Sequence, residues 1–323
     1  MMNSPTSLRT MGMALAAGFC LLAGCNQGGP SGAANDDTAT SGSVAIAVDA
    51  TFEPIVKSQV DTFHKLYQYA KISARYEPEA DAMRDLLNDK VRLAVVTREL
   101  TADEKAAFDR QKLFPRTTHI ATDGLAIIVH PSNPDTLLTM EQLRDIFSGQ
   151  TKQWQQVNRK NKLGDITVVF DSNNSSTSRY MQDSVTKGMP LAKGAFASES
   201  NPALLDYVAT HPKAIGVIGV NWISDQDDKE VRGFLKKIRV VGLSTSPRPQ
   251  KTDEYVQPYQ AYLALKTYPL RRNVYVISRE ARAGLGTGFA SFVAGTKGQL
   301  IILKSGLVPA IGQTRIVNTT PNY

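Results

Sequence analysis

Apolar and polar positions along this chain switch repeatedly between two periods, and the switching predicts a strand–helix–strand succession. Residues 44–48 are an apolar run of strand length, and after it Val56, Val60, Phe63 and Tyr67 recur on one helical face. Residues 71–76 read as extended, Met83, Leu86 and Leu87 mark a second helix, and 91–96 is rich in β-branched residues. Thr101-Ala-Asp-Glu104 has capping-box spacing, in which Thr and Glu satisfy each other's free backbone donors at a helix start. A strand at 125–129 and a helix bearing Met140, Leu143, Ile146 and Phe147 come next. A strand at 166–170, a helix near 175–185, a helix opened by Asn201-Pro202 and a Gly-interrupted strand at 215–220 follow. Such alternation predicts an α/β fold with largely parallel strands.

The N-terminus breaks this pattern. Residues 1–10 carry one charge, Arg9, and 11–22 are apolar, ending in Leu22-Ala23-Gly24-Cys25. A permanent membrane helix needs about 20 apolar residues, so the run is too short to span and suits the apolar region of a signal peptide. Leu-Ala-Gly-Cys matches the bacterial lipobox. Residues 1–24 therefore read as a lipoprotein signal peptide, with Cys25 lipidated and the chain exported and anchored to a bacterial membrane, on the periplasmic side or outer face. A plain secretory signal with an incidental Cys25 is the other reading. Residues 25–42 are mostly Gly, Ser, Ala, Thr, Asn and Asp without periodicity, the composition of a flexible tether. The only cysteines are Cys20 and Cys25. Cys20 leaves with the signal, so no disulfide is expected and packing alone stabilises the body.

From about residue 43 the chain is long enough for two domains. The net charge is +7 at pH 7, and its positive residues are scattered except in 229–239, which suits a solvated helix face. A basic body attracts anions; export argues against nucleic acid as the partner.

In open α/β sheets ligands bind beyond the carboxyl ends of strands, where helix starts offer free N–H groups suited to an anion. Three loops qualify: Asp49-Ala50-Thr51-Phe52-Glu53, Thr97-Arg98-Glu99, and Asp171 through Arg179 with Ser175, Ser176 and Thr177. Hydroxyls at a helix start can hold a small anion, yet Ser and Thr are also ordinary helix caps. Arg98 and Arg179 could each add bidentate charge-assisted bonds, or could pair with nearby carboxylates. Glu99 or Asp171 facing the ligand would accept a hydrogen bond from the O–H of a protonated phosphate and repel sulfate; both pointing to solvent or to arginine is the alternative.

Catalytic and nucleotide motifs are missing: there is no Walker A sequence, H-E-x-x-H or G-x-S-x-G, and His64, His119, His130 and His211 are isolated. No enzyme, metal or cofactor is indicated.

Six segments resemble, in order and spacing, the phosphate-binding proteins of high-affinity phosphate ABC importers. They are Ala50-Thr51-Phe52; Leu143 to Trp154 with its Ile-Phe-Ser-Gly and final Trp; Ser175-Ser176-Thr177; Ala214-Ile-Gly-Val217; Tyr268-Pro-Leu270 with Arg272; and Phe292 to Gln299. The resemblance implies a two-lobed periplasmic-binding-protein-like fold (type II), with the ligand between lobes joined by crossover strands. It puts lobe I at 43–122 plus 248–323 and lobe II at 123–247, and implies a monomer that hands inorganic phosphate to the transmembrane subunits of an ABC permease. Implied ligand contacts are Ala50, Thr51, Phe52, Thr97, Arg98, Glu99, Ser175, Ser176, Thr177 and Arg179. Departures stand beside these matches. Asp171 takes the place of the family's usual Arg, Ser176 that of a Gly, Thr97-Arg98-Glu99 that of Ser-Asp, and acidic 76–81 that of a Ser/Gly-rich segment. Alternatives are the same fold binding another oxyanion or serving a sensory role, and an exported phosphatase.

Overall fold

The computed structural model describes residues 37–224 and 229–312. The signal peptide, Cys25 and most of the expected tether lie outside the described residues. At 37–41, within the expected tether, Thr38 pairs with Ser41, and Asp37 accepts a 2.8 Å bond from the Leu285 N–H. These residues sit on the body because Asp37 satisfies a free donor at a helix start.

The first part runs β1 (Gly42–Asp49), α1 (Glu53–Leu66), β2 (Ala70–Glu77), α2 (Glu79–Leu87), β3 (Leu93–Val96) and α3 (Ala102–Arg110) into the long β4 (Arg116–Val129). Then come β5 (Leu137–Thr139), α4 (Met140–Phe147), α5 (Trp154–Val157), β6 (Thr167–Phe170) and α6 (Ser176–Tyr180). The next elements are β7 (Phe196–Ala197), α7 (Asn201–Thr210), β8 (Ala214–Gly219), α8 (Lys229–Lys237), β9 (Arg239–Val240), β10 (Gly242–Ser244) and α9 (Gln260–Ala264). The chain closes with β11 (Arg271–Ser278), α10 (Leu285–Ala294), α11 (Thr296–Lys304) and β12 (Val308–Pro309).

Among the described residues ten strands form one sheet, ordered β2-β1-β3-β11-β4-β8-β6-β7 with β9 and β12 also on β4. Strand β4 carries the sheet from one lobe to the other. Its residues 116–124 pair antiparallel with β11, and its residues 125–129 pair antiparallel with β8. Parallel pairs β1–β2, β1–β3 and β6–β8 flank this join. The expected strand at 125–129 is thus only half of β4. Its first half, with exposed Arg116, Thr117 and His119, lacks the continuous apolar run that marked the second.

Each half of the sheet is packed on both faces, as parallel strands require. In the first lobe, α1, α10 and α11 bury Val56, Phe63, Phe289 and Ile302 on one face, and α2 and α3 bury Met83, Leu86 and Phe108 on the other. In the second lobe, α4 buries Leu143, Ile146 and Phe147, each worth about 1.5–3 kcal/mol, together with Trp154. Leu204, Leu205 and Val208 of α7 fill the opposite face. Leu263, Tyr268 and Leu270 lie in the core of α4 and Trp154. The stretch after 248 reaches both sides of the join: these apolar side chains pack in the second lobe's core, and Gln260 Nε2 donates to the Leu303 and Leu307 carbonyls of the first. Capping boxes at Thr101/Glu104 and Thr139/Gln142 start α3 and α4.

Candidate functional site

The three loops named from sequence end β1, β3 and β6, and the third meets both of the others between the lobes. Asp49 closes β1, and its carboxylate accepts the Thr51 N–H at 3.0 Å and the Thr51 hydroxyl at 2.9 Å, fixing the Ala50–Phe52 turn. From the second lobe, Asn221 Nδ2 and Trp222 Nε1 donate to the Thr51 carbonyl at 3.0 and 2.8 Å. Asn201 Nδ2 reaches the Ala50 carbonyl at 3.5 Å, and the Thr51 hydroxyl lies 3.4 Å from an Asp171 oxygen. Gly219 permits this approach: a Cβ there would lie 2.6 Å from Thr51 Cγ2 and 3.0 Å from Asn221 Nδ2.

The third loop divides its hydroxyls between two jobs. Ser175 caps α6, accepting the Ser178 N–H at 3.1 Å and donating to the Ser172 carbonyl. Ser176 faces the cleft and accepts from Arg272 Nη1 at 2.7 Å. Thr177 Oγ1 is buried without a hydrogen-bond partner.

Arg272 opens β11 directly opposite Asp123 of β4. Its Nε donates to Asp123 at 2.9 Å, the pair is almost wholly buried, and the guanidinium carbon stands 5.2 Å from the Phe52 ring centroid. Its Nη2 is buried and has no partner. The sequence marks Arg272 only as part of a motif and Asp49 only as the start of a loop, and it does not mark Asp123. A signal exists for Asp49, which ends an apolar run. It is a lone carboxylate closing an apolar strand, and a buried charge demands an opposite partner; Asp123 stands in mixed polar sequence and carries no such mark.

At the mouth of the cleft Arg179 crosses to the first lobe. Its Nε donates to Glu79 at 2.7 Å and its Nη2 to the Thr97 hydroxyl at 2.7 Å. Glu79, the first residue of α2, also takes the Thr97 N–H and hydroxyl at 2.6 and 2.7 Å. The Thr97 donors are therefore spent on a carboxylate of the protein itself. Arg98 turns the other way, bidentate on Glu104 at 2.7 Å for both bonds, which ties it to the cap of α3. Glu99 is exposed. Ala50, Thr51, Phe52, Thr97, Ser176, Thr177 and Arg179 are thus brought to the cleft, Ser175 supports them, and Arg98 and Glu99 stand apart.

Charge differs along the cleft. Burial raises Asp49 to about 7, where Arg272 pulls down and Glu79 and Asp171 push up. Burial likewise raises Asp123 and Asp171 despite Arg272. Glu79 is also pushed up by burial, but Arg179 and Thr97 outweigh that and hold it below its usual value. Among the described residues no cluster of His, Cys, Asp and Glu suits a metal ion, and no helix is long and apolar enough to cross a membrane.

Residues 33–297 match the family model described as the PBP superfamily domain. The phosphate-binding protein PstS of Bacillus subtilis is 25% identical over 256 residues, covering 77% of this chain and 80% of that protein. The PstS of Staphylococcus saprophyticus is 23% identical over 277 residues, covering 84% and 80%. Among solved structures, an ABC-type phosphate transport receptor from Vibrio cholerae superposes with a TM-score of 0.62 at 22% identity, over 83% of this chain and 99% of that one.

Proposed function

This chain belongs to the PBP superfamily, and from that premise we propose that it is a lipid-anchored extracytoplasmic receptor that binds inorganic phosphate and delivers it to an ABC permease. The observation that carries the reading is the buried Arg272 guanidinium held on Ser176, with its Nη2 and the Thr177 hydroxyl left without partners where the Thr51 loop of one lobe meets Asp171 of the other. Hydroxyl and guanidinium donors enclosed in a dry cleft suit a small oxyanion, because charge-assisted bonds strengthen where water is excluded. The names of the PstS relatives point the same way. Lobes joined through β4 and β11 would close on the ligand by a hinge, the permease reading the closed shape. The moving bodies in this reading are 43–122 with 248–323, and 123–247, joined where β4 and β11 cross between them. Ligand contacts fall to Ala50, Thr51, Phe52, Ser176 and Thr177, with Ser175 as support and Thr97 and Arg179 closing the mouth. The protein binds and releases its ligand as a monomer without turnover. Cys25 carries the lipid, and the residues after it form the leash.

Calorimetry with inorganic phosphate and with sulfate tests this reading. Phosphate is expected to bind at micromolar concentration or below and sulfate far more weakly; absence of heat with phosphate overturns it. Gly219→Val supplies a variant that resists closure. Its side chain meets the Thr51 loop, so affinity should fall about 10- to 100-fold while each lobe stays folded by circular dichroism.

A further inference from the structure

We propose that Arg272, on the crossover strand β11, is the guanidinium that binds the anion, so that the ligand's counter-charge comes from the hinge rather than from the loops of either lobe. The proposal rests on the receptor reading above and deepens it.

The arginines named from sequence are committed elsewhere. Both terminal nitrogens of Arg98 are on Glu104, and Arg179 is held by Glu79 and Thr97 with Asp183 3.5 Å away. Arg272 is differently placed. Its Nε edge is anchored on Asp123 and its Nη1 on Ser176, while Nη2 is buried and unpartnered. Nη2 faces the bare backbone of Gly219, where an added Cβ would stand 3.8 Å away, beside Thr51 and Asn221. Stacking over Phe52 fixes the guanidinium plane from the other lobe's ligand loop. A buried donor left unpaired costs about 1–3 kcal/mol, and an oxyanion oxygen is the partner that its charge and planar fork suit best.

The position has a mechanical consequence. Arg272 and Asp123 are cross-strand neighbours on β11 and β4, the strands that join the lobes. Ser176 belongs to the second lobe and Phe52 to the first. Arg272 sits where the two bodies join, so Phe52 of the first and Ser176 of the second both reach the one guanidinium. Asp123 acts as a positioning residue, since it touches the guanidinium and not the ligand.

The experiment is calorimetry of phosphate, arsenate and sulfate on the wild type, Arg272→Gln, Arg272→Lys and Arg98→Ala. Arg272→Gln should weaken phosphate binding about 100-fold or more, with Arg272→Lys in between. Arg98→Ala should stay within about threefold of wild type, because its partner is Glu104. Should Arg272→Gln fail to fold, the guanidinium ¹⁵N signals of Arg272 in the wild type carry the test. They shift on phosphate addition if the assignment holds, and signals unmoved at saturation overturn it. Wild type that binds phosphate, beside Arg272→Gln that binds it equally well, removes the Arg272 assignment alone. Wild type that binds none of the three anions removes the receptor reading, and this inference with it.

Discussion

The mouth and the floor of the cleft use the same two chemical groups and reach opposite electrostatic results. At the mouth, Glu79 meets Arg179 and two Thr97 donors, and its carboxyl is held low in spite of burial. On the floor, Asp49, Asp123 and Asp171 share one guanidinium, that of Arg272, and all three carboxyls are raised with burial as the main cause. The difference is one of stoichiometry. A buried carboxylate stays ionised when its own donors repay desolvation, and takes up a proton when several compete for one cation. Ligand charge enters the same balance. In the proposed receptor, a neutral Asp49 would ease the entry of an anion beside Arg272.

The largest expected effect follows from that contrast. Asp49 is held near 7 in the folded protein against 3.8 as its ordinary value, so the unfolded chain releases the proton first. The associated stability is complete below the unfolded value and is lost as pH rises toward 7, at up to about 1.4 kcal/mol per pH unit. Glu79 has the opposite sign: its lowered carboxyl stabilises above the ordinary value and that contribution is lost on acidification. Urea denaturation against pH should therefore flatten toward neutrality in Asp49→Asn and on the acid side in Glu79→Gln. Identical profiles for both variants would erase the distinction between mouth and floor.

Removing the cation at the mouth is the next largest change. Arg179→Ala leaves Glu79 buried without its ion-pair partner, at an expected cost of about 2 kcal/mol at pH 8. The cost should shrink at pH 5, where Glu79 can take up a proton instead. A loss that does not vary with pH would mean that Arg179 acts through packing alone.

Arg98→Ala gives the smallest effect and checks the boundary of the site. Arg98 braces Glu104 within the capping box of α3, so thermal denaturation should report about 1 kcal/mol or less. Arg98 lies at the end of the same strand as Thr97, yet phosphate calorimetry should scarcely register its loss. A large fall in affinity would bring Arg98 back to the cleft.

Much of the fold was legible because burial leaves a periodic trace. The runs at 44–48, 91–96 and 166–170 contain β1, β3 and β6, with β3 starting only at Leu93, and Met140, Leu143, Ile146 and Phe147 fall on α4 as expected. The capping box at Thr101 could be read because its partners are three residues apart. The first half of β4 and all of β11 were not legible. Their polar and apolar residues are mixed, since the crossover strands meet solvent, cleft and core within a few residues.

Sequence alone determined the alternating elements, the caps and the loops that end β1, β3 and β6, because each depends on contacts within a few residues. Tertiary structure alone decided which loop residues face the cleft. Arg98 and Arg179 both follow hydroxyl residues near a strand end, yet one turns to a neighbour six residues away and the other to a carboxylate a hundred residues away. The facing of Asp123 by Arg272 is set by the register of β4 on β11, across 149 residues of chain. Long-range register places a buried charge beside its partner, and no local pattern encodes that distance.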